Sequence, residues 1–371
     1  PNQTAWHADW FGRLGATTVL ADGKWETGLS AAVTRGDRRY TNRLDPADPN
    51  QETQDSTYAA TEYDLQWTNT VHLPGFGPAA ANALTFGYQH TRSEASSRLR
   101  LADFGLPYAS SVEAAEDLNA GWAGLQTTLA RRLTLNANLR AEGYSIAGSA
   151  VTWRMGGVLA LPELASRLKA SGGTAFRAPS LFELYGRDSY GYHGNPGLQP
   201  ERGTGWDIGW ESDLGLGARA DFATLGLTYF ANRFDNLITT DYVQETSVNV
   251  GRAESRGVEA SATFRPAAWW STTLAYTYTD ARNLQTGAAL LRRPRQQVSA
   301  EVALHPLPGL TIAPEILYTG AFQDLVIDDF GFPVGIGRAR PGTLVNLAAS
   351  YVVDKRLTLW LRARNLGGAR T

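Results

Sequence analysis

From Leu133 to Glu142 the chain reads Leu-Thr-Leu-Asn-Ala-Asn-Leu-Arg-Ala-Glu, apolar and polar residues in strict alternation. Successive side chains of a strand point to opposite faces, so this stretch has one apolar face and one face of hydroxyls, amides and charges. The pattern recurs along the chain. Leu84, Phe86 and Tyr88 oppose Thr85, Gly87 and Gln89, and Val258, Ala260, Ala262 and Phe264 oppose Glu259, Ser261 and Thr263. Leu274, Tyr276 and Tyr278 oppose Thr273, Thr277 and Thr279, and Val298, Ala300, Val302 and Leu304 oppose Gln297, Ser299 and Glu301. Scored in this way the sequence holds about sixteen strands. A soluble sheet hides its apolar face in a core, whereas a transmembrane barrel turns that face to lipid and keeps the polar face around a lumen.

The connections decide between these two. Short ones fall at Asp22-Gly23, Pro74–Pro78, Arg131-Arg132, Leu161–Ser166, Gly215–Gly217, Pro266–Ala268, Pro306–Gly309 and Val353–Arg356. Between them lie longer polar stretches, Thr41–Tyr58, Ser97–Glu113, Pro179–Arg202, Asn283–Arg293 and Asp324–Gly337, with two brief exceptions near Gly148 and Asp241. An up-and-down barrel of outer-membrane type sorts its loops in this way, and a Greek-key sandwich does not. Segments such as Lys24–Tyr40 and Arg219–Phe234 also exceed the usual 3–10 residues of soluble strands, at roughly 15. Trp6, Trp10, Trp25, Trp67, Trp122, Trp153, Trp269, Trp270 and Trp360 gather near strand ends, as in an interfacial aromatic girdle. The fold class expected is all-β, an antiparallel up-and-down transmembrane β-barrel.

Composition agrees. Nothing in the 371 residues marks an internal boundary, so 1–371 is read as one barrel domain. The 34 basic and 36 acidic residues nearly cancel, which gives no reason to expect nucleic acid as a partner. Cysteine is absent, which excludes disulfides and thiol chemistry. No run approaches the roughly 20 apolar residues of a spanning helix, and a mean hydropathy of −0.27 suits strands that are half polar. The five histidines, His7, His72, His90, His193 and His305, are scattered without an HExxH pairing, and neither a G-x-S-x-G elbow nor a P-loop occurs. The chain is therefore read as not an enzyme.

One segment is far more specific. Gly173–Glu211 reads GTAFRAPSLFELYGRDSYGYHGNPGLQPERGTGWDIGWE. It resembles the C-terminal barrel half of TonB-dependent outer-membrane receptors, in which a long loop follows the pattern FRAPS-LxELYG…GNPxLxPE. Phe176, Arg177, Ala178, Pro179, Ser180, Leu181, Glu183, Leu184, Tyr185 and Gly186 match, as do Asn195, Pro196, Leu198, Pro200 and Glu201. Leu227–Ile238, Asn249–Glu259 and Arg364-Asn365-Leu366 are also similar to the family. The flavour is that of vitamin B12 and ferric siderophore receptors. The resemblance implies a Gram-negative outer membrane, with lipid around the wall and TonB-energised uptake of a large scarce nutrient, cobalamin or a ferric siderophore. It also implies about 22 strands and a plug that contacts TonB. Against that pattern the chain reads as a partial barrel without its plug. A passive porin and a soluble all-β adhesin are the rival expectations.

Within the motif, Arg177, Glu183, Glu201 and Arg202 are placed to form ion pairs near the rim, and the Gly/Pro punctuation makes a shaped loop. The loop aromatics Tyr58, Phe104, Tyr108, Tyr190, Tyr192, His193, Phe330 and Phe332 are the expected ligand-binding residues, since aromatic faces with polar flanks suit a corrinoid or a ferric chelate. The alternative for them is loop-on-loop packing. No resident cofactor is expected. Asp45, Asp48 and Asp55 carry oxygens suited to Ca²⁺, but their spacing matches no EF-hand, and a solvated loop is the simpler account. Arg140, Glu142, Glu259, Glu301 and Arg362 lie on polar faces, where a plug or water would meet them.

Overall fold

The computed structural model describes residues 2–47, 52–103, 106–188, 191–217, 219–241, 243–328 and 333–369. In chain order the strands are β1 (Gln3–Leu20), β2 (Trp25–Asn42), β3 (Thr53–Leu73), β4 (Ala79–Asp103), β5 (Leu106–Leu129), β6 (Leu133–Tyr144), β7 (Gly148–Leu161), β8 (Ser166–Arg177), β9 (Glu201–Leu216), β10 (Arg219–Asp241), β11 (Thr246–Ala267), β12 (Trp270–Asn283), β13 (Gln296–Leu304), β14 (Leu310–Thr319), β15 (Phe322–Ile327), β16 (Pro333–Ala339), β17 (Gly342–Val352) and β18 (Thr358–Ala363). A five-residue helix, α1 (Leu181–Tyr185), lies between β8 and β9. Sixteen strands form one sheet in sequential order, while β15 and β16 pair apart as a hairpin between β14 and β17. The expected up-and-down topology is therefore the observed one.

The short connections foreseen in the sequence fall at strand junctions, although β9 and β11 extend into two of them, to Leu216 and Ala267. At the turn entering β6, Ala130 and Arg131 both have positive φ (48° and 58°), and the Arg132 N–H donates to the Leu129 carbonyl at 3.0 Å. Two successive positive φ values make the tight hairpin turn whose twist suits antiparallel strands. The long connections are shorter than their polarity suggested. Ser97–Glu113 is mostly ladder, since β4 runs to Asp103 and β5 starts at Leu106. Likewise β2 reaches Asn42, β3 begins at Thr53, and Asp324–Gly337 contains the β15–β16 pairing. Polarity alone does not make a loop.

Two compact units divide the chain: 1–155 with 173–203 and 235–250, and 156–172 with 204–234 and 251–371. In the first, strand register aligns Trp25, Val71, Leu84, Leu125 and Ala137 in one row, and Phe86, Ala123 and Leu139 in the next, all on one face. Further along the same face the character changes. Tyr63 opposes Arg92, which pairs with Glu94 (2.8 Å) and Asp117 (3.3 Å), and beyond them come Arg35–Asp37 and Arg39–Asp55. In the second unit Ala260, Tyr276, Val298 and Tyr318 form one row, and Ala262, Leu274, Ala300, Ile316 and Val345 the adjacent one. Glu301, Glu315 and Asn346 share the opposite face, where the Asn346 amide donates to Glu315 at 2.9 Å.

Burial is inverted relative to a soluble protein. Leu14 is 80% exposed and Leu139 53%, whereas the Glu142 side chain, held by Arg140 at 2.8 Å, is only 8% exposed. The buried apolar residues are mostly alanines, and Ser56, Asn69, Asn82 and Ser212 are buried beside them. The chain exposes 23725 Å²; a compact soluble monomer of its mass exposes about 14,500 Å². Large apolar side chains of the strands, Leu14 and Leu139 among them, contribute to this exposure. A face this apolar and this uncovered is suited to lipid. Several indoles of the expected girdle meet polar partners near the short turns: Trp25 Nε1 donates to Asn69 (3.0 Å), Trp67 to Thr27 (3.1 Å) and Trp270 to Thr272 (2.9 Å).

Candidate functional site

The loop between β8 and β9 has a fixed shape, and its sequence explains why. Pro179 ends β8 because its ring fixes φ and disfavours helix at Ala178. Ser180 then caps α1: its hydroxyl accepts from the Glu183 N–H at 3.2 Å, and the Glu183 carboxylate accepts from the Ser180 N–H at 2.7 Å. This reciprocal box satisfies donors that a short helix would otherwise leave open. At the other end the Asn195 N–H donates to Glu183 O, and the Gly194 N–H to Gly186 O, both at 2.8 Å. A Cβ on Gly194 would run into the backbone of Leu184 and Tyr185, so this close approach requires glycine. Pro179, Leu184 and Leu198 are buried, and α1 packs against β5.

Arg177 holds the two ends of the loop together. Its guanidinium meets Glu183 at 3.0 Å and Glu201 at 2.7 Å, each through two nitrogens. Glu201 also accepts from the Ile238 N–H at 2.8 Å. Burial pushes both carboxyls upward, but the Arg177 hydrogen bonds outweigh it, helped by Ser180 at Glu183 and by Ile238 at Glu201, and hold them below the ordinary glutamate range. The two carboxylates in turn raise the Arg177 guanidinium. Three of the four residues expected to pair do so. Arg202 instead lies over the Phe176 ring, 5.4 Å from its centroid, a cation–π contact.

The second half of the loop is stitched to the β10–β11 hairpin. The His193 N–H donates to Glu245 O (2.9 Å), and the Thr246 hydroxyl donates to His193 O (2.6 Å). The Asn195 amide donates to Ser247 O (3.0 Å), and the Tyr192 hydroxyl lies 2.8 Å from Ser247 Oγ. Asn249 accepts from the Gln199 N–H and donates back to Gln199 O, both at 2.8 Å. The loop thus runs alongside β11 as an extra strand would.

On this support sits an aromatic pair. Phe182, half exposed, stacks on Tyr192 with centroids 4.9 Å apart and planes 2° from parallel. Burial raises the Tyr192 hydroxyl, with a smaller contribution from Glu183 and Asp188, so it stays a neutral phenol. Tyr192 and His193 are thus held by one loop against β11, while Tyr58 lies in β3 opposite Arg38 and Ser97. Phe182 was missed in the sequence because it sits inside the structural motif; its ring is on the side of α1 opposite the buried Leu184. Tyr108 is elsewhere, in a groove with Arg39, Arg43, Asp55, Arg100 and Leu101. Asp55 lies in β3, gripped through two nitrogens by Arg39 at 3.2 and 3.0 Å, and Asp45 accepts from the Ala47 N–H of its own turn. Phe104, Tyr190, Phe330, Phe332 and Asp48 lie outside the described residues.

Comparison with known proteins matches this chain at two levels. The family model described as TonB dependent receptor-like, beta-barrel, matches residues 2–366. Among solved structures, a copper transporter, OprC, aligns with a TM-score of 0.79 at 16% identity, covering 97% of this chain and 61% of that one. The ferric-catecholate import receptor Fiu from E. coli K12 aligns at 0.75 and 14% identity, covering 99% and 60%. The pyoverdine outer-membrane receptor FpvA from Pseudomonas aeruginosa PAO1 aligns at 0.72 and 17% identity, covering 98% and 57%. The chain spans little more than half the length of these structures.

Proposed function

Because the chain belongs to the TonB-dependent receptor β-barrel family, we propose that it forms the membrane wall of a Gram-negative outer-membrane receptor that imports a ferric siderophore, drawing energy through TonB. The observation that carries this proposal is the combination, in one chain, of strands whose apolar face is uncovered and a rigid loop presenting a stacked aromatic pair. A ferric chelate is large, planar in parts and rimmed with oxygen. Phe182 and Tyr192 offer a face for its rings, and the phenol of Tyr192 offers a hydrogen bond. Receptors for ferric catecholates and for pyoverdine among the aligned structures support this cargo class, as the copper transporter supports uptake more broadly. The family is one of receptors and transporters.

Binding measurements on the full-length receptor with a panel of ferric siderophores and cyanocobalamin test the cargo. At least one ferric siderophore is expected to bind, and Phe182→Ala is expected to weaken it about tenfold through loss of a stacked ring. Binding of cyanocobalamin alone would replace the cargo. Uptake that persists in cells lacking TonB would mark a passive pore and overturn the mechanism.

A further inference from the structure

In the second unit, a cleft opens where β14 ends. It is lined by Arg295, Gln296, Tyr318, Arg338, Arg340 and Pro341 among others. Its position along the strand is informative. β14 is ten residues long and begins at the short turn, and a tilted strand crosses the hydrocarbon in about nine to eleven. Tyr318 is the last residue but one and shares the apolar face with Val298 and Ile316. Tyr276 and Tyr278 stand in the same and the adjacent row. These rings are where an interfacial aromatic belt should be. The cleft therefore begins where the apolar face stops.

Its charge is unbalanced. Some arginines near strand ends meet carboxylates, as at Arg35–Asp37, Arg92–Glu94, Arg177–Glu183 and Arg292–Asp324. Arg338 and Arg340 are exposed and have no carboxylate partner among the described residues. Arg295 reaches Asp280 only at 3.7 Å, and that single carboxylate is also shared by Arg282 (2.9 Å) and Arg256 (3.9 Å). Three guanidiniums thus converge beside a tyrosine at the level where lipid headgroups lie. Guanidinium forks match phosphate oxygens, and an apolar face just below gives acyl chains a surface to follow. A soluble anion would need only the charges; a lipid uses the charges and the apolar face together.

We propose that this cleft binds the phosphate of an anionic lipid headgroup in the outer leaflet, fixing a lipid against β13, β14 and β17. The proposal rests on the outer-membrane placement given above. The test is native mass spectrometry of the full-length receptor in nanodiscs of phosphatidylcholine, plain or doped with lipid A or with dephosphorylated lipid A. The wild type should retain lipid A and not its dephosphorylated form. Arg338→Gln with Arg340→Gln should lower retention about thirtyfold, since each basic residue near an anionic surface contributes about a factor of five. Equal retention by the double variant, or of dephosphorylated lipid A, would overturn it. Displacement by inorganic phosphate would assign the cleft to a soluble anion and also overturn it. Heat-modifiable electrophoretic mobility reports the folded barrel in each variant. A protein that never enters nanodiscs would instead refute the membrane placement itself.

Discussion

Replacing Arg177 by alanine is expected to release the β8–β9 loop while leaving the strands paired. Among the described residues the guanidinium is the one group that bonds both Glu183 and Glu201, one within the loop and one where the chain re-enters the sheet. Its loss leaves two half-buried carboxylates 18 residues apart in sequence facing each other without a cation. A hydrogen bond to a charged group contributes roughly 1.5–3 kcal/mol, and the 44% exposure of the arginine side chain argues for the lower part of that range per carboxylate. Local destabilisation of about 3 kcal/mol for the two carboxylates should appear as faster amide exchange at Leu184, Gly194 and Asn195, whose N–H groups close the loop. Lysine should rescue only in part, because an ammonium cannot fork to both partners.

The same clamp sets an acid limit. Both carboxyls have folded-state values depressed below the ordinary glutamate value of 4.5. A depressed carboxyl contributes stability that is complete above its unfolded value and is lost as pH falls through the folded one. Exchange in the loop should therefore rise below pH 4.5 in the wild type. In Arg177→Ala the largest depressing cause is gone, so the rise should begin at higher pH. Unchanged exchange in the variant would mean that the loop is held by its β11 contacts alone.

The second large effect is expected on the apolar face. Leu139 is 53% exposed, in the middle of β6, opposite Ala123 and in line with Phe86. Leu139→Arg places a guanidinium near the bilayer midplane, which costs about 2–4 kcal/mol in barrels of this type. Asn138→Arg, one residue away on the polar face, should cost little. Urea unfolding in lipid vesicles separates the two. Were the face packed in a protein core or bathed in water, the pair would not differ in this way.

Much of the fold was legible because the period-two signal is local: the apolar rows at Leu84, Leu139, Ala260 and Val298 are the ones first seen as alternation. Strand ends were not. At Ser97–Asp103 the ladder continues and the alternation of Arg98 and Arg100 with Leu99 and Leu101 persists, so the period-two signal was present there and was outweighed by the polar residues around it. The ion pairs of Arg177 were foreseeable from a motif of charged residues around a turn. The stack of Phe182 on Tyr192 was not, because it depends on the loop folding back along β11 through Thr246, Ser247 and Asn249. The partner of Asp55 was not legible either: register sets Asp55 opposite Thr41 and within reach of Arg39, a pairing that needs the β2–β3 ladder.

The absence of cysteine makes the central claim directly measurable. Single cysteines placed in turn at Leu135, Asn136, Ala137, Asn138, Leu139 and Arg140, spin-labelled and reconstituted in lipid, report collisions with oxygen in the bilayer and with a water-soluble nickel complex. The lipid-wall account predicts high oxygen access at 135, 137 and 139 and high nickel access at 136, 138 and 140. Uniform access along the stretch, or nickel access at the odd positions, would contradict it.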